Sequence, residues 1–141
     1  MRKIAIILTF LLTMFLSSVS FASCNLDPHR WEWVESGNMY VTYLDKASIK
    51  ESAYIAQAGG CHYFPKGCNW NHRGYKSEHY HFFVYYINYN FNSICVKSSA
   101  IMDAYGNLIQ SITFDDDELQ FEPIMQDNEK FARAVLKILR S

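Results

Sequence analysis

The chain has no surplus of positive charge: 13 Lys and Arg residues stand against 14 Asp and Glu, a net charge of −1. Nucleic-acid binding, which is dominated by phosphate neutralisation, is therefore a poor fit, and no nucleic-acid partner is expected. The common catalytic signatures are missing too. There is no Gly-x-Ser-x-Gly elbow, no His-Glu-x-x-His pair and no glycine loop to cradle a phosphate. The acidic run Asp115-Asp-Asp-Glu118 lacks the alternating ligands and the glycine of a calcium loop, so it reads as solvated surface. Neither internal repeats nor low-complexity segments occur. These absences predict a domain that is not an enzyme and has no resident cofactor.

What is present begins at the N-terminus. Arg2 and Lys3 precede an apolar run from Ile4 to Leu16, and Ser20-Phe-Ala22 supplies a small-x-small cleavage site. That is the layout of a secretory signal peptide over residues 1–22. The run is shorter than the roughly 20 residues needed to cross a bilayer, and no later segment is apolar and long enough to do so. Export to the periplasm or cell surface is the expectation. Phe21-Ala-Ser-Cys24 also approaches a lipoprotein box, which leaves a lipid anchor on Cys24 as the lesser alternative. Residues 23–141 then form one domain of 119 residues with 11 basic and 14 acidic side chains, a net charge of −3.

All four cysteines, Cys24, Cys61, Cys68 and Cys95, fall in the exported part. An even count in an oxidising compartment points to disulfides, with three possible pairings. Cys61 and Cys68 bracket a short segment containing Pro65 and Gly67, which makes a Cys61–Cys68 bridge easy to close. Cys24–Cys95 would follow by elimination. Zinc held by thiolates and His62 is the rival reading, but Cys-x6-Cys without a second close pair is not zinc-ribbon spacing.

Aromatic and β-branched runs at 31–35 and 39–44 flank Ser36-Gly-Asn38 and predict a β-hairpin. Residues 44–50 read as a bend or short helical turn, and 53–58 as a strand stopped by Gly59-Gly60. Residues 61–77, with little periodicity, read as a long loop. The stretch 78–95 places His79, His81, Phe83, Tyr85, Ile87, Tyr89 and Phe91 on one side of an extended chain. As one strand it would run about 60 Å, so a break near 88–93 is required. Strands at 94–104 and 108–114 follow, separated by Tyr105-Gly-Asn107. The C-terminus carries Phe131, Ala134, Val135, Ile138 and Leu139 at helical spacing, with Asp127 or Asn128 as the cap. The fold class expected is α+β: an antiparallel β-sheet of about six strands with a C-terminal α-helix on one face.

Two groups of residues are candidates for function. His79 and His81, one residue apart on a strand, present both imidazoles to one side, a weak start for a metal or haem ligand pair. The segment 61–79 mixes Lys66, Arg73 and Lys76 with Tyr63, Phe64, Trp70 and Tyr75. Arg and large aromatics are what protein interfaces rely on, so Lys66, Trp70, Arg73, Tyr75 and Lys76 are the expected partner-binding residues.

Trp33-Val-Glu-Ser36, Tyr43-Leu-Asp-Lys-Ala-Ser-Ile-Lys50, Tyr105-Gly-Asn-Leu-Ile-Gln-Ser111 and Phe121-Glu-Pro-Ile124 follow one another ahead of the helix. Their order and spacing resemble the surface-adhesin protein E family of Gram-negative bacteria over most of residues 31–139. The resemblance implies an exported sheet packed on a C-terminal helix. It also implies adhesion to host extracellular-matrix and plasma proteins, with haem binding associated. The chain departs from the family in having no cysteine in its terminal helix. An exported, adhesin-like binding module is the function expected; a haem- or metal-binding envelope protein, or a structural one, is the alternative.

Overall fold

A computed structural model describes residues 26–67 and 76–141. Six strands run as an antiparallel meander in sequence order: β1 Trp31–Ser36, β2 Val41–Ser52, β3 Ile55–Phe64, β4 His79–Asn88, β5 Ser93–Asp103 and β6 Leu108–Thr113. A two-residue strand, β7 Glu122–Pro123, pairs with the start of β5, and helix α1 Gln126–Leu139 ends the chain. The expected α+β architecture is the one observed.

The long aromatic stretch breaks at Asn88, whose Oδ1 accepts the N–H groups of Asn90 and Phe91 and so closes the turn into β5. Cross-strand register then fixes the two faces. Phe83 and Ile87 of β4 stand with Leu44, Ala56, Ala58 and Ile94 on the face that meets Phe131, Ala132 and Val135 of α1. Phe131 packs edge-on against Phe83 at 5.2 Å and against Tyr85 at 5.5 Å between ring centroids, the tilted geometry that aromatic quadrupoles favour. The Tyr89 hydroxyl donates to the Ala132 carbonyl at 3.1 Å. The opposite face carries its own aromatic cluster, with Tyr63 stacked on Tyr80 at 4.9 Å and Trp31 at 6.0 Å from Phe82.

Two readings of the sequence need correction. Residues 44–50 are not a bend but the middle of β2, and the turn-like composition reflects a bulge. Pairing with β3 jumps from Asp45↔Gly59 to Lys50↔Gln57, so four residues of β2 oppose one of β3. Side chains replace the lost ladder bonds. Asp45 Oδ1 accepts the Ala47 N–H at 3.1 Å, and Ser48 Oγ accepts the Gly59 N–H at 2.6 Å. Arg30 grips the same carboxylate through both oxygens, at 2.9 and 2.7 Å.

The second correction concerns Gly59-Gly60, which do not stop β3. The strand runs on to Phe64, so the irregular segment begins at Pro65 rather than Cys61. Glycine is used here for space. A Cβ at position 60 would collide with the Phe83 and Phe131 rings, and one at 59 would stand 3.1 Å from Ser48 Oγ. Ala56, Ala58 and Gly60 thus form a shallow trough on the middle of the sheet into which the helix settles.

The helix starts at Gln126 with Met125 in the cap position, so neither Asp127 nor Asn128 is the cap. Asn128 lies within the first turn instead, its Oδ1 reaching back to accept the Met125 N–H at 2.9 Å. Phe131 and Val135 are buried as the stripe predicted, and Ala132 joins them. Because the Phe131 ring bridges both layers, Phe131→Ala is expected to cost about 3–5 kcal/mol. Urea denaturation checks this; an unchanged midpoint would mean the helix contributes nothing to the core.

Candidate functional site

An antiparallel meander puts alternate connections at the same end of the sheet. Ser36↔Val41, Phe64↔His79 and the pairing of His79 with Asp103 place the 37–40 turn, the two ends of the 65–78 connection and the 104–107 turn side by side. Among the described residues, Met39, 60% exposed, and Tyr105, 87% exposed, project from this end. Tyr105 is held out by its turn. Asp103 Oδ1 accepts the N–H groups of Tyr105 and Asn107, at 2.9 and 2.8 Å, while Asn107 Nδ2 donates to Oδ2 at 2.9 Å. Gly106 supplies the positive φ of 83° that closes the turn. The bonds from Asn107 and its neighbours hold the Asp103 carboxyl below the ordinary carboxylate range.

Lys66 and Lys76 are exposed near the two ends of the 65–78 connection. They are the only partner-binding residues foreseen that the structure describes. Trp70, Arg73 and Tyr75 lie outside the described residues, as do Cys24, Cys68 and the expected signal segment 1–22. Each expected disulfide therefore has one member outside the described part. Cys61 faces Phe82 and Cys95 faces Tyr86, so β4 stands between them and they are offset along it by four residues. At about 4.8 Å per strand and 3.3 Å per residue, they are beyond disulfide reach of each other. That removes one of the three possible pairings. Burial raises the Cys95 thiol pKa.

Under the loops, on the face shared with the helix, an array of rings extends from the core to the sheet's end. Phe64 stacks on His79 at 4.7 Å with planes 11° apart. Tyr40 lies 4.6 Å from His62 and 5.2 Å from Phe64, and His62 lies 4.6 Å from Phe83. His79 and His81 share a side of β4, as alternation predicted. His62 was not singled out with them. The β3–β4 register sets it directly opposite His81, with ring centroids 6.0 Å apart. The signal for this was the pairing of Phe64 with His79 across the connection, which the reading of 61–77 as loop concealed.

Each imidazole has a hydrogen-bond partner. His62 Nδ1 bonds Thr42 Oγ1 at 3.0 Å, His81 Nε2 bonds Ser99 Oγ at 2.7 Å, and His79 Nδ1 bonds the Ser77 carbonyl at 2.9 Å. Burial, with His81 nearby, lowers the His62 pKa to about 4. Burial, with His79 nearby, lowers that of His81. At neutral pH these two rings are uncharged, which suits either an apolar contact surface or a pair of nitrogen ligands. Among the described residues no three His, Cys, Asp or Glu side chains converge as a metal site. Nor is any described helix long and apolar enough to cross a membrane.

No known family profile, curated protein or solved structure matches this chain.

A lowered histidine pKa has a definite consequence for stability. Between its ordinary value of 6.5 and about 4, His62 is protonated in the unfolded chain and neutral in the folded one. Its contribution is complete above about pH 6.5 and is lost as the pH falls towards 4; His81 acts with the same sign. Urea midpoints at pH 7.5, 5.5 and 4.5 should decline, and His62→Gln should remove on the order of 1–3 kcal/mol of that decline. A slope identical in wild type and variant would place the sensitivity elsewhere.

Proposed function

We propose that this chain is an exported envelope protein that acts as a non-enzymatic binding module, with the loop end of the sheet as its contact surface. The observation that carries this reading is the convergence of three connections that expose Met39, Tyr105, Lys66 and Lys76 together. Aromatic anchors on stiff turns are efficient interface residues, because little rotamer or backbone freedom is left to lose on docking. The Asp103–Asn107 bonds provide that stiffness for Tyr105. Lysines at the rim favour an acidic partner surface and act chiefly on the association rate. The sequence resemblance to surface-adhesin protein E supports adhesion to host extracellular-matrix or plasma proteins as the role, at the periplasmic or outer face of the envelope.

A second reading rests on His62 facing His81: two neutral imidazoles beside Tyr40 and Phe83 suit a haem or transition-metal ligand. Absorbance titration of the purified domain with haem, repeated on His62→Ala, separates the two. A Soret shift lost in the variant favours the ligand reading.

For the primary reading, Met39→Ala combined with Tyr105→Ala should weaken binding to immobilised matrix and plasma proteins about tenfold or more, with thermal unfolding unchanged. Lys66→Ala with Lys76→Ala should reduce the salt dependence of association. Full binding by the Met39/Tyr105 variant would move the interface away from the loop end.

A further inference from the structure

Strand β6 closes one side of the sheet, and all six of its residues are exposed. Its inner edge pairs with β5, and among the described residues no strand pairs its outer edge. An open edge is a row of backbone donors and acceptors that will accept another strand, and proteins commonly block it with charge, proline or a bulge. Leu-Ile-Gln-Ser-Ile-Thr contains neither charge nor proline. The one register shift against β5 lies at its beginning, between Ile101 and Met102. Leu108, Ile109 and Ile112 are 58%, 41% and 47% exposed, and Val96 and Phe121 are exposed as well.

Along the chain, charge flanks β6 only beyond its ends, and there it is acidic. Asp103 precedes the β5–β6 turn, and Asp115, Asp116, Asp117 and Glu118 follow Thr113. Lys97 answers only one of them: its Nζ is 2.8 Å from Asp116 and 2.6 Å from the Phe114 carbonyl. Among the described residues, Asp103, Asp115, Asp117 and Glu118 have no ion pair. The edge is therefore apolar in the middle and acidic at both ends.

We propose that the outer edge of β6 accepts an extended segment of another protein by strand addition, one that is β-branched in its centre and carries Lys or Arg at its ends. Main-chain bonds to β6 supply affinity, and the flanking carboxylates select the partner. A second copy of this chain is the wrong occupant. Antiparallel β6–β6 pairing would bring residues 115–118 of each copy alongside 103–106 of the other, setting acid against Asp103 at both ends. This edge adjoins the proposed contact surface only at the 104–107 turn, which carries Tyr105; Met39, Lys66 and Lys76 belong to connections on the far side of β5.

The probe is a labelled peptide, Val-Thr-Ile-Thr-Val with two lysines at each end, added to the mature domain. Fluorescence anisotropy measures affinity, and amide hydrogen exchange locates the site. Two control peptides carry glutamates in place of the lysines, or proline in place of the central Ile. The expected result is protection of the β6 amides by the lysine peptide, with both controls binding about tenfold more weakly or worse. Asp115→Asn with Asp117→Asn, exposed positions that leave the fold intact, should weaken the lysine peptide several-fold, whereas Met39→Ala with Lys66→Ala should not. Equal binding of the lysine and glutamate peptides, or protection away from β6, would overturn the proposal. So would a concentration-dependent dimer that protects β6 without any peptide.

Discussion

The seat of the Phe131 ring over Gly60 is the contact on which the rest of the structure depends. A helix can lie close on a sheet only where the strand beneath it is low, and β3 is low because Ala56, Ala58 and Gly60 alternate on that face. Phe83 and Tyr85 on the neighbouring strand then wall the ring in. Backbone entropy makes glycine in a strand unfavourable by roughly 0.5–1 kcal/mol relative to alanine. Here a buried aromatic contact that no side chain at position 60 would permit offsets that penalty.

The helix covers only part of its face, and the rings beyond it lie under the proposed contact surface. Towards the helix the rings are core. Beyond it, Tyr40, His62, Phe64, His79 and His81 continue the same face to the loop end, where hydroxyl and carbonyl partners satisfy the imidazoles. The loops thus stand on a base of packed, hydrogen-bonded rings. The opposite flank is fixed by Arg30 and Asp45, whose paired hydrogen bonds hold the β2 bulge in place. Under the proposed binding role, a partner would meet a 104–107 turn that is already shaped, and docking would cost less ordering entropy.

Much of this was legible in the sequence, and for physical reasons. Turns at 36–38 and 105–107 announce themselves because glycine and asparagine favour turns, and Gly106 takes the positive φ that its turn requires. Strand β4 is visible because its parity is set by burial, and the helix because its apolar stripe follows the 3.6-residue period. The bulge at 46–49 was hidden because Asp45 and Ser48 do there what backbone groups do elsewhere, and a run such as Asp-Lys-Ala-Ser has turn-like composition. Gly59-Gly60 misled for a related reason: the need for them is set by Phe131, far along the chain. His62 was missed as a partner of His81 because strand register is a tertiary property. Of the loop residues foreseen as contacts, the described structure places Lys66 and Lys76 at the exposed rim, and its most exposed aromatic, Tyr105, came from a turn read only as a turn.

A double-mutant cycle between Gly60→Ala and Phe131→Ala, measured by urea unfolding, tests the central contact most directly. If the ring occupies the space a Cβ would need, Gly60→Ala is costly with Phe131 present, by about 1–3 kcal/mol, and much cheaper without it. The expected coupling is on the order of 1 kcal/mol or more. Costs that add to within about 0.5 kcal/mol would show that the two positions do not meet, and that something else seats the helix on the sheet.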